Sequence, residues 1–383
     1  MQQAALSLFV LCAFWIAYVY AIYPAFLLVL GLLRRRPKPP PLADDELPKV
    51  GIFIPAYNEE AVIAEKLEST LALDYPAEKL EITVASDRSS DATDAIVRGY
   101  AERGVRLIRN ETQRGKIATI SDLASRSTAD VILITDANAI FEPDALRKVV
   151  AHFRDPKVGI VDGNRLLHRT PTMVGDGEGA YWRYETMLRR ADSDVFSTTF
   201  INGAMTAIRR ELFLPLPSYL EFDHVLPLHV INQGRRVVFE NEARFYEETA
   251  PSSKVAYRIR VRNAVRGFTM VLLIGRYLNV LRHPLFTFHL LSRKVLRWLV
   301  AVPAIGLLAA NFFLLDVAVF RWTLAAQAVF YVLALLGGAL DRVGVKQGML
   351  ALPYYFCLVN AASLVGFLKA VCGQRMATWS TGR

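Results

Sequence analysis

Four stretches of the chain carry no charged side chain: 1–33, 298–315, 322–340 and 347–368. Each reaches or exceeds the roughly 18 residues that mark a candidate membrane span. Between the first and the second, the pattern changes to short β-rich runs alternating with amphipathic segments. Residues 50–55, 81–86, 105–109 and 131–135 read as strands, each followed by a polar loop and then by helical periodicity. Repeated strand, loop and helix imply an α/β fold with a doubly wound, mainly parallel sheet, in which the loops after the strands share one rim. The chain is therefore expected to run as a transmembrane helix over 1–33, a linker over 34–48 stiffened by Pro37, Pro39, Pro40 and Pro41, and a globular domain over 49–250. Amphipathic interface helices over 251–292, three transmembrane helices over 293–373 and a tail over 374–383 complete it.

Composition sharpens this division. The chain is 53% hydrophobic with a mean hydropathy of +0.27, high for a soluble protein, and the excess sits in the four uncharged stretches. A signal peptide does not fit the first of them: it has no charged leading region, it is too long, and the basic cluster Arg34, Arg35, Arg36 and Lys38 follows it. Thirty-odd apolar residues exceed the roughly 20 needed to cross, so this helix is expected to tilt or to kink near Pro24. The basic cluster places residue 34 onward in the cytoplasm, and Arg293, Lys294 and Arg297 agree; three further crossings would put Lys369, Arg375 and Arg383 outside, so the parity stays open. A formal charge of +9 concentrated beside the spans points to membrane lipid headgroups, and no nucleic-acid motif accompanies it. Cys12, Cys357 and Cys372 lie in or beside apolar stretches, which excludes a disulfide framework or a zinc pattern.

The strand-end loops hold the candidate chemistry. Asp136 and Asn138 follow the fourth strand with one residue between them, so their oxygens can converge on a divalent cation or a nucleotide; a strand ending in an Asx turn would look the same. Glu59, Asp87 and Lys116 occupy the loops after the other three strands. Asn58, taken alone, is explained as a helix N-cap. Carboxylates plus one lysine recurring at one rim suit a nucleoside diphosphate better than solvated loop charges do, with the acids for base, ribose or metal and the cation for phosphate.

At these residues the chain resembles the family 2 glycosyltransferases with a GT-A fold. The matching blocks are Ile54-Pro55-Ala56-Tyr57-Asn58-Glu59-Glu60, Ser86-Asp87-Arg88-Ser89-Ser90-Asp91-Ala92-Thr93, Arg114-Gly115-Lys116 and Thr135-Asp136-Ala137-Asn138. Tyr181-Trp182-Arg183-Tyr184-Glu185, Asn202-Gly203-Ala204 and Asp223-His224-Val225-Leu226 look like that family's acceptor-side blocks. The flanking spans are similar to the membrane-integrated branch with cellulose, chitin and hyaluronan synthases. The resemblance implies a nucleotide-sugar donor, UDP-linked, contacting Ala56, Glu59, Asp87, Lys116 and Asp136. It implies Mg²⁺ or Mn²⁺ on Asp136 and Asn138, an acceptor near Trp182, Asn202 and Gly203, and Asp223 as the base of an inverting transfer. Arg258, Arg262 and Arg266 become candidates for the diphosphate or for lipid headgroups.

Two departures shape the expected reaction. The metal motif has the neutral amide of Asn138 where the family usually has a second acid. Segment 257–268 lacks the Gln and Trp of processive synthases, although Val261, Ala264, Val265 and Phe268 form an apolar stripe suited to a bilayer surface. Loss of that Trp leaves Trp182 and Trp379 as stacking platforms and favours single additions. The expected activity is hexosyl or N-acetylhexosaminyl transfer to a lipid-linked or membrane-proximal saccharide, in envelope or exopolysaccharide synthesis, with the catalytic domain on the cytoplasmic face of a bacterial inner membrane. A processive polysaccharide synthase and a non-catalytic sugar-nucleotide-binding scaffold are the alternatives.

Overall fold

A computed structural model describes residues 1–168, 173–249, 252–345 and 348–375; Trp379 and most of the expected tail lie outside the described residues. Eight strands form one sheet in the order β3-β2-β1-β4-β7-β6-β8-β5. They are β1 (Val50–Ala56), β2 (Leu80–Ser86), β3 (Val105–Arg109), β4 (Val131–Thr135), β5 (Ile140–Phe141), β6 (Val158–His168), β7 (Met205–Arg209) and β8 (Arg236–Glu248). The four strands expected from sequence are parallel neighbours, so their following loops do share a rim. Beyond β4 the sheet becomes mixed. β7 runs antiparallel to both β4 and β6, while β6 and β8 are parallel. This reversal matters because Thr135 pairs with Met205, which brings the start of β7, and with it Asn202 and Gly203, to the same rim as Asp136.

Every residue of β1 and β4 is buried, as expected for strands covered on both faces. One face packs Ile52, Ile54, Leu67 and Leu133, the other Phe53, Ile120, Ile134 and Leu226. Asn58 caps no helix, because the following helix is Ile63–Leu71. Its Oδ1 accepts from Ser90 N instead, at 2.8 Å, and its φ is +52°. The loops after β1 and β2 are thus bonded to each other.

Three helices are long and apolar enough to cross a membrane: Gln2–Leu33, Ala318–Arg342 and Gly348–Val371. A fourth is added if Pro284–Trp298 and Ala301–Phe312, bent by 59°, make one span. In the first, a π-turn at Tyr18–Ile22 immediately precedes Pro24, whose missing N–H disrupts the regular ladder there. Two expectations about the membrane surface change. Arg293, Lys294 and Arg297 do not flank a span in solvent: all three are buried and converge on Glu185 of the Met173–Val195 helix, at 2.9, 3.0 and 2.9 Å. The apolar stripe of the Ser253–Leu272 helix does not face lipid either. Val261 and Val265 pack on Ala362, and Ala264 and Phe268 on Ala370, so the last apolar helix covers it. Gly366 permits this approach, since a Cβ there would collide with Ala264.

Candidate active site

The site is built around the end of β4. Asp136 leaves the sheet at the rim, and Lys116 reaches it from the first turn of the Lys116–Arg126 helix, forming an ion pair with Asp136 Oδ1. Gly115, at φ +84°, makes the turn that starts this helix. Burial works against the Lys116 charge, but Asp136, Asp223 and Glu247 outweigh it and hold its pKa above the ordinary lysine value. Opposite stands Asp223, in the first turn of Phe222–Asn232, with its backbone oxygen accepting from Ile201 N at 3.0 Å. Burial pushes the Asp223 carboxyl up to about 7; Lys116 opposes this, while Asp136, Asp162 and Glu247 add to it. Gly203 lies against that carboxylate so closely that any Cβ would clash with it, and its φ of +73° suits glycine alone.

Glu59, Lys116, Asp136, Asn138, Trp182, Asn202, Asp223, Arg258, Arg262 and Arg266 all line one cleft of about 2230 Å³. Ala56, Asp87 and Gly203 do not line it. Asp87 is buried, with Oδ1 accepting from Asn110 Nδ2 and Arg114 N and Oδ2 from Gly115 N, so its oxygens anchor the turn that presents Lys116. In the ligand-free chain Asp87 thus positions the Lys116 turn. Ala56 is covered inside β1, and Pro55 lines the cleft beside it. Of the interface arginines, Arg266 is paired with Glu221. Arg262 Nε is buried with no hydrogen-bond partner among the described residues, in a cleft where Asp136 and Asp223 both act on its charge. Trp182 Nε1 and Asn202 Nδ2 are likewise buried donors without partners among the described residues, and Arg165 lies 3.9 Å from the Trp182 ring centre. Unmet buried donors cost about 1–3 kcal/mol each, which a bound hydroxyl or phosphate oxygen would relieve.

Several residues that position the site escaped the sequence reading. Lys66 is fully buried behind β4; its Nζ donates to Thr135 Oγ1 at 2.9 Å and to Ala139 O at 2.6 Å, and lies 3.3 Å from the Phe141 ring centre. It therefore grips the Asp136–Asn138 loop at both ends. Burial lowers its pKa well below the usual lysine value, while Asp136 and Glu247 pull the other way. Asp162, paired with Arg189, accepts from Asn202 N at 3.0 Å and fixes the acceptor-side loop. Glu247, bonded to Arg165 at 2.9 Å, adds a carboxylate to the cleft near Asp136, and burial raises its pKa. Trp298, read as the edge of a span, packs on Phe268 and His224 with ring centres 5.5 and 5.7 Å apart and lines the cleft. An indole thus reaches the interface helix from another element, and the missing Trp of that helix no longer argues for single additions. Only Lys66 carried a local signal, as a lysine on the apolar face of its helix.

Replacing Lys66 by Met keeps the volume but removes two buried hydrogen bonds, each worth about 0.5–1.5 kcal/mol net. Lys66→Met is expected to weaken nucleotide binding about tenfold or more by loosening the loop, and calorimetry on folded protein measures this directly.

The donor set fits a hard divalent cation held jointly with a nucleotide. Among the described residues no three His, Cys, Asp or Glu side chains gather in one place, so Asp136 and the Asn138 amide would supply the protein ligands. Mg²⁺ and its analogues bind through one or two carboxylates plus substrate phosphates, so this sparse set is sufficient once a diphosphate is present.

A family model described as "Glycosyltransferase like family 2" matches residues 48–266. The chain belongs to the family 2 glycosyltransferases. A probable glycosyltransferase of Bacillus subtilis, YdaM, is 30% identical over 251 residues, 60% of this chain and 57% of that protein. Hyaluronan synthase of Streptococcus pyogenes is 30% identical over 219 residues, 51% of each chain. This family 2 chain spans about half the length of these curated relatives. Among solved structures, a mannosyltransferase of Pyrobaculum calidifontis in complex with GDP-Man and Mn²⁺ superposes with a TM-score of 0.73 at 21% identity, covering 96% of this chain and all of that one. The likeness shows that the two chains share the GT-A domain and the arrangement of the flanking apolar helices.

Proposed function

We propose that this family 2 member moves a hexosyl or N-acetylhexosaminyl group, with inversion, from a nucleoside-diphosphate sugar to a membrane-associated or lipid-linked saccharide. In this reading the catalytic domain works on the cytoplasmic face of a bacterial inner membrane, in envelope or exopolysaccharide synthesis. The observation that carries the reading is Asp223, seated on Gly203 across one cleft from the Lys116–Asp136 pair. Asp223 takes the proton of the acceptor hydroxyl as that oxygen bonds to the anomeric carbon. The bond from that carbon to the diphosphate breaks, and Lys116 and Arg262 hold the charge left on the leaving group. A divalent cation, when bound, would neutralise the same diphosphate from Asp136 and Asn138. In the ligand-free chain Lys116 satisfies Asp136, so nucleotide binding exchanges that ion pair for a phosphate contact. The relatives' names leave the product open: one is a hyaluronan synthase, and a Synechocystis protein 28% identical over 148 residues is named a beta-monoglucosyldiacylglycerol synthase.

The test incubates membranes carrying the chain with radiolabelled nucleotide sugars, UDP-linked donors first, and sorts product into lipid-extractable and polymeric fractions. Label in the lipid fraction is the expected result. Label confined to polymer would establish the processive alternative, and nucleotide binding with no transfer from any donor would favour the scaffold.

A further inference from the structure

The cleft does not end at the reacting groups. Past Trp298, Arg297 and Tyr20 it continues between the apolar helices. One wall is the face of Gly348–Val371 that carries Met349, Leu352, Phe356 and Val359, residues spaced by three and four and so aligned along the helix. Ile16 and Leu307 line the passage as well, and Phe330 lines it while packed on Phe356 with ring centres 5.5 Å apart. The other face of the same helix is occupied, with Tyr355 and Leu358 on Ala256 and Ala362 on Val261 and Val265. At the far end Met349 is 91% and Leu352 60% exposed, so the passage opens sideways among helices apolar enough to cross a membrane.

The lining decides what fits. A glycan along this length would exchange many hydrogen bonds to water for a few partners such as Gln327 and Tyr331, at a heavy cost. A hydrocarbon chain has no hydrogen bonds of its own to give up there. Where the passage meets the polar cleft, Arg293, Lys294 and Arg297 surround Glu185, with Asp192 as the only other carboxylate bonded to them among the described residues. Of these three basic side chains, Lys294 and Arg297 also line the cleft. An anionic headgroup complements this neck.

We propose that the passage holds the hydrocarbon chain of the acceptor, a phosphate-bearing lipid, with its phosphate at Lys294 and Arg297 and its reacting hydroxyl directed to Asp223. The inference rests on the transferase reading above and names its acceptor class. The enzyme would then select its acceptor by the lipid as well as by the sugar.

The experiment uses the full chain in phosphatidylcholine nanodiscs with two photoreactive probes, hexadecyl phosphate and hexadecyl β-glucoside, each carrying a diazirine at the chain end. Labelled peptides are mapped by mass spectrometry. The phosphate probe should label Phe330, Phe356 and Val359 in preference to the outward-facing Trp322 and Leu335, which are 77% and 75% exposed. Excess unlabelled hexadecyl phosphate should suppress the inner labelling about tenfold and leave the outer labelling unchanged. Leu307→Trp, which fills the passage, should remove the inner labelling, whereas Val302→Trp on the exposed side of the same helix should not; retained outer labelling shows that both variants are folded and embedded. Equal, uncompeted labelling of inner and outer residues would overturn the proposal, since the space would then hold bulk lipid only. Equal inner labelling by both probes would overturn the phosphate assignment. Nucleotide binding, measured by calorimetry on the same samples, reports separately on the transferase reading: its absence would remove that reading whatever the labelling shows.

Discussion

Asp223→Asn should lower the turnover of sugar transfer by about 10² to 10⁴, the usual weight of a general base, while nucleotide affinity stays near normal. The amide keeps the size and the hydrogen-bonding capacity of the carboxylate but cannot take the proton. Because that interaction belongs to the transition state, the loss should fall on kcat and leave the donor KM in place. The pH profile provides a second check. Burial raises the Asp223 carboxyl from 3.8 to about 7, so the base is largely protonated in weak acid and kcat/KM should rise with pH through about 7. The variant should lose that limb. The stability effect has the opposite sign: the fold favours the protonated acid, so this group's contribution is present below about 4 and is lost as pH rises toward 7. Near-normal transfer by Asp223→Asn would reduce Asp223 to a first-turn acid of its helix, and Glu221, already paired with Arg266, would be the nearest remaining carboxylate.

Asp136→Ala should abolish the metal dependence of nucleotide binding and lower transfer by roughly 10² to 10³, the scale for removing one preorganised electrostatic group. Asp136 is the one carboxylate of the Asp136–Asn138 loop, and the Asn138 amide brings no charge to replace it. The same change frees Lys116 from its ion pair, so residual nucleotide binding should persist through that lysine without metal. Calorimetry of nucleotide with and without Mn²⁺ separates the two contributions. An undiminished Mn²⁺ effect in Asp136→Ala would place the cation on other ligands, with Glu247 the first to examine because it lines the same cleft.

Residues whose role follows from local pattern were legible in the sequence. The four parallel strands announced themselves as short apolar runs, and the direction shared by parallel strands puts Glu59, Lys116, Asp136 and Asn138 on one rim without further information. Asp223 was legible only through the family resemblance, because a carboxylate in the first turn of a helix is ordinarily a favourable end charge. Asp87 was placed at the right loop, but its partners within the chain were not legible. A sequence shows that an acid follows a strand, and not that three donors from the next loop will bond to it.

What the chain determined by itself is therefore its periodicity: an α/β domain between apolar helices, with acids and a lysine at the strand ends, because burial and side-chain alternation are written into neighbouring residues. The tertiary structure decided everything that joins distant segments. It turned β7 antiparallel so that Asn202 and Gly203 meet Asp223, and buried Lys66 behind the Asp136 loop. It drew Arg293, Lys294 and Arg297 onto Glu185 more than 100 residues away, and laid the last apolar helix along the interface helix. Basic residues beside an apolar stretch look alike whether they meet headgroups or a buried carboxylate. Which of the two occurs depends on where the rest of the chain packs, and a linear pattern does not carry that information.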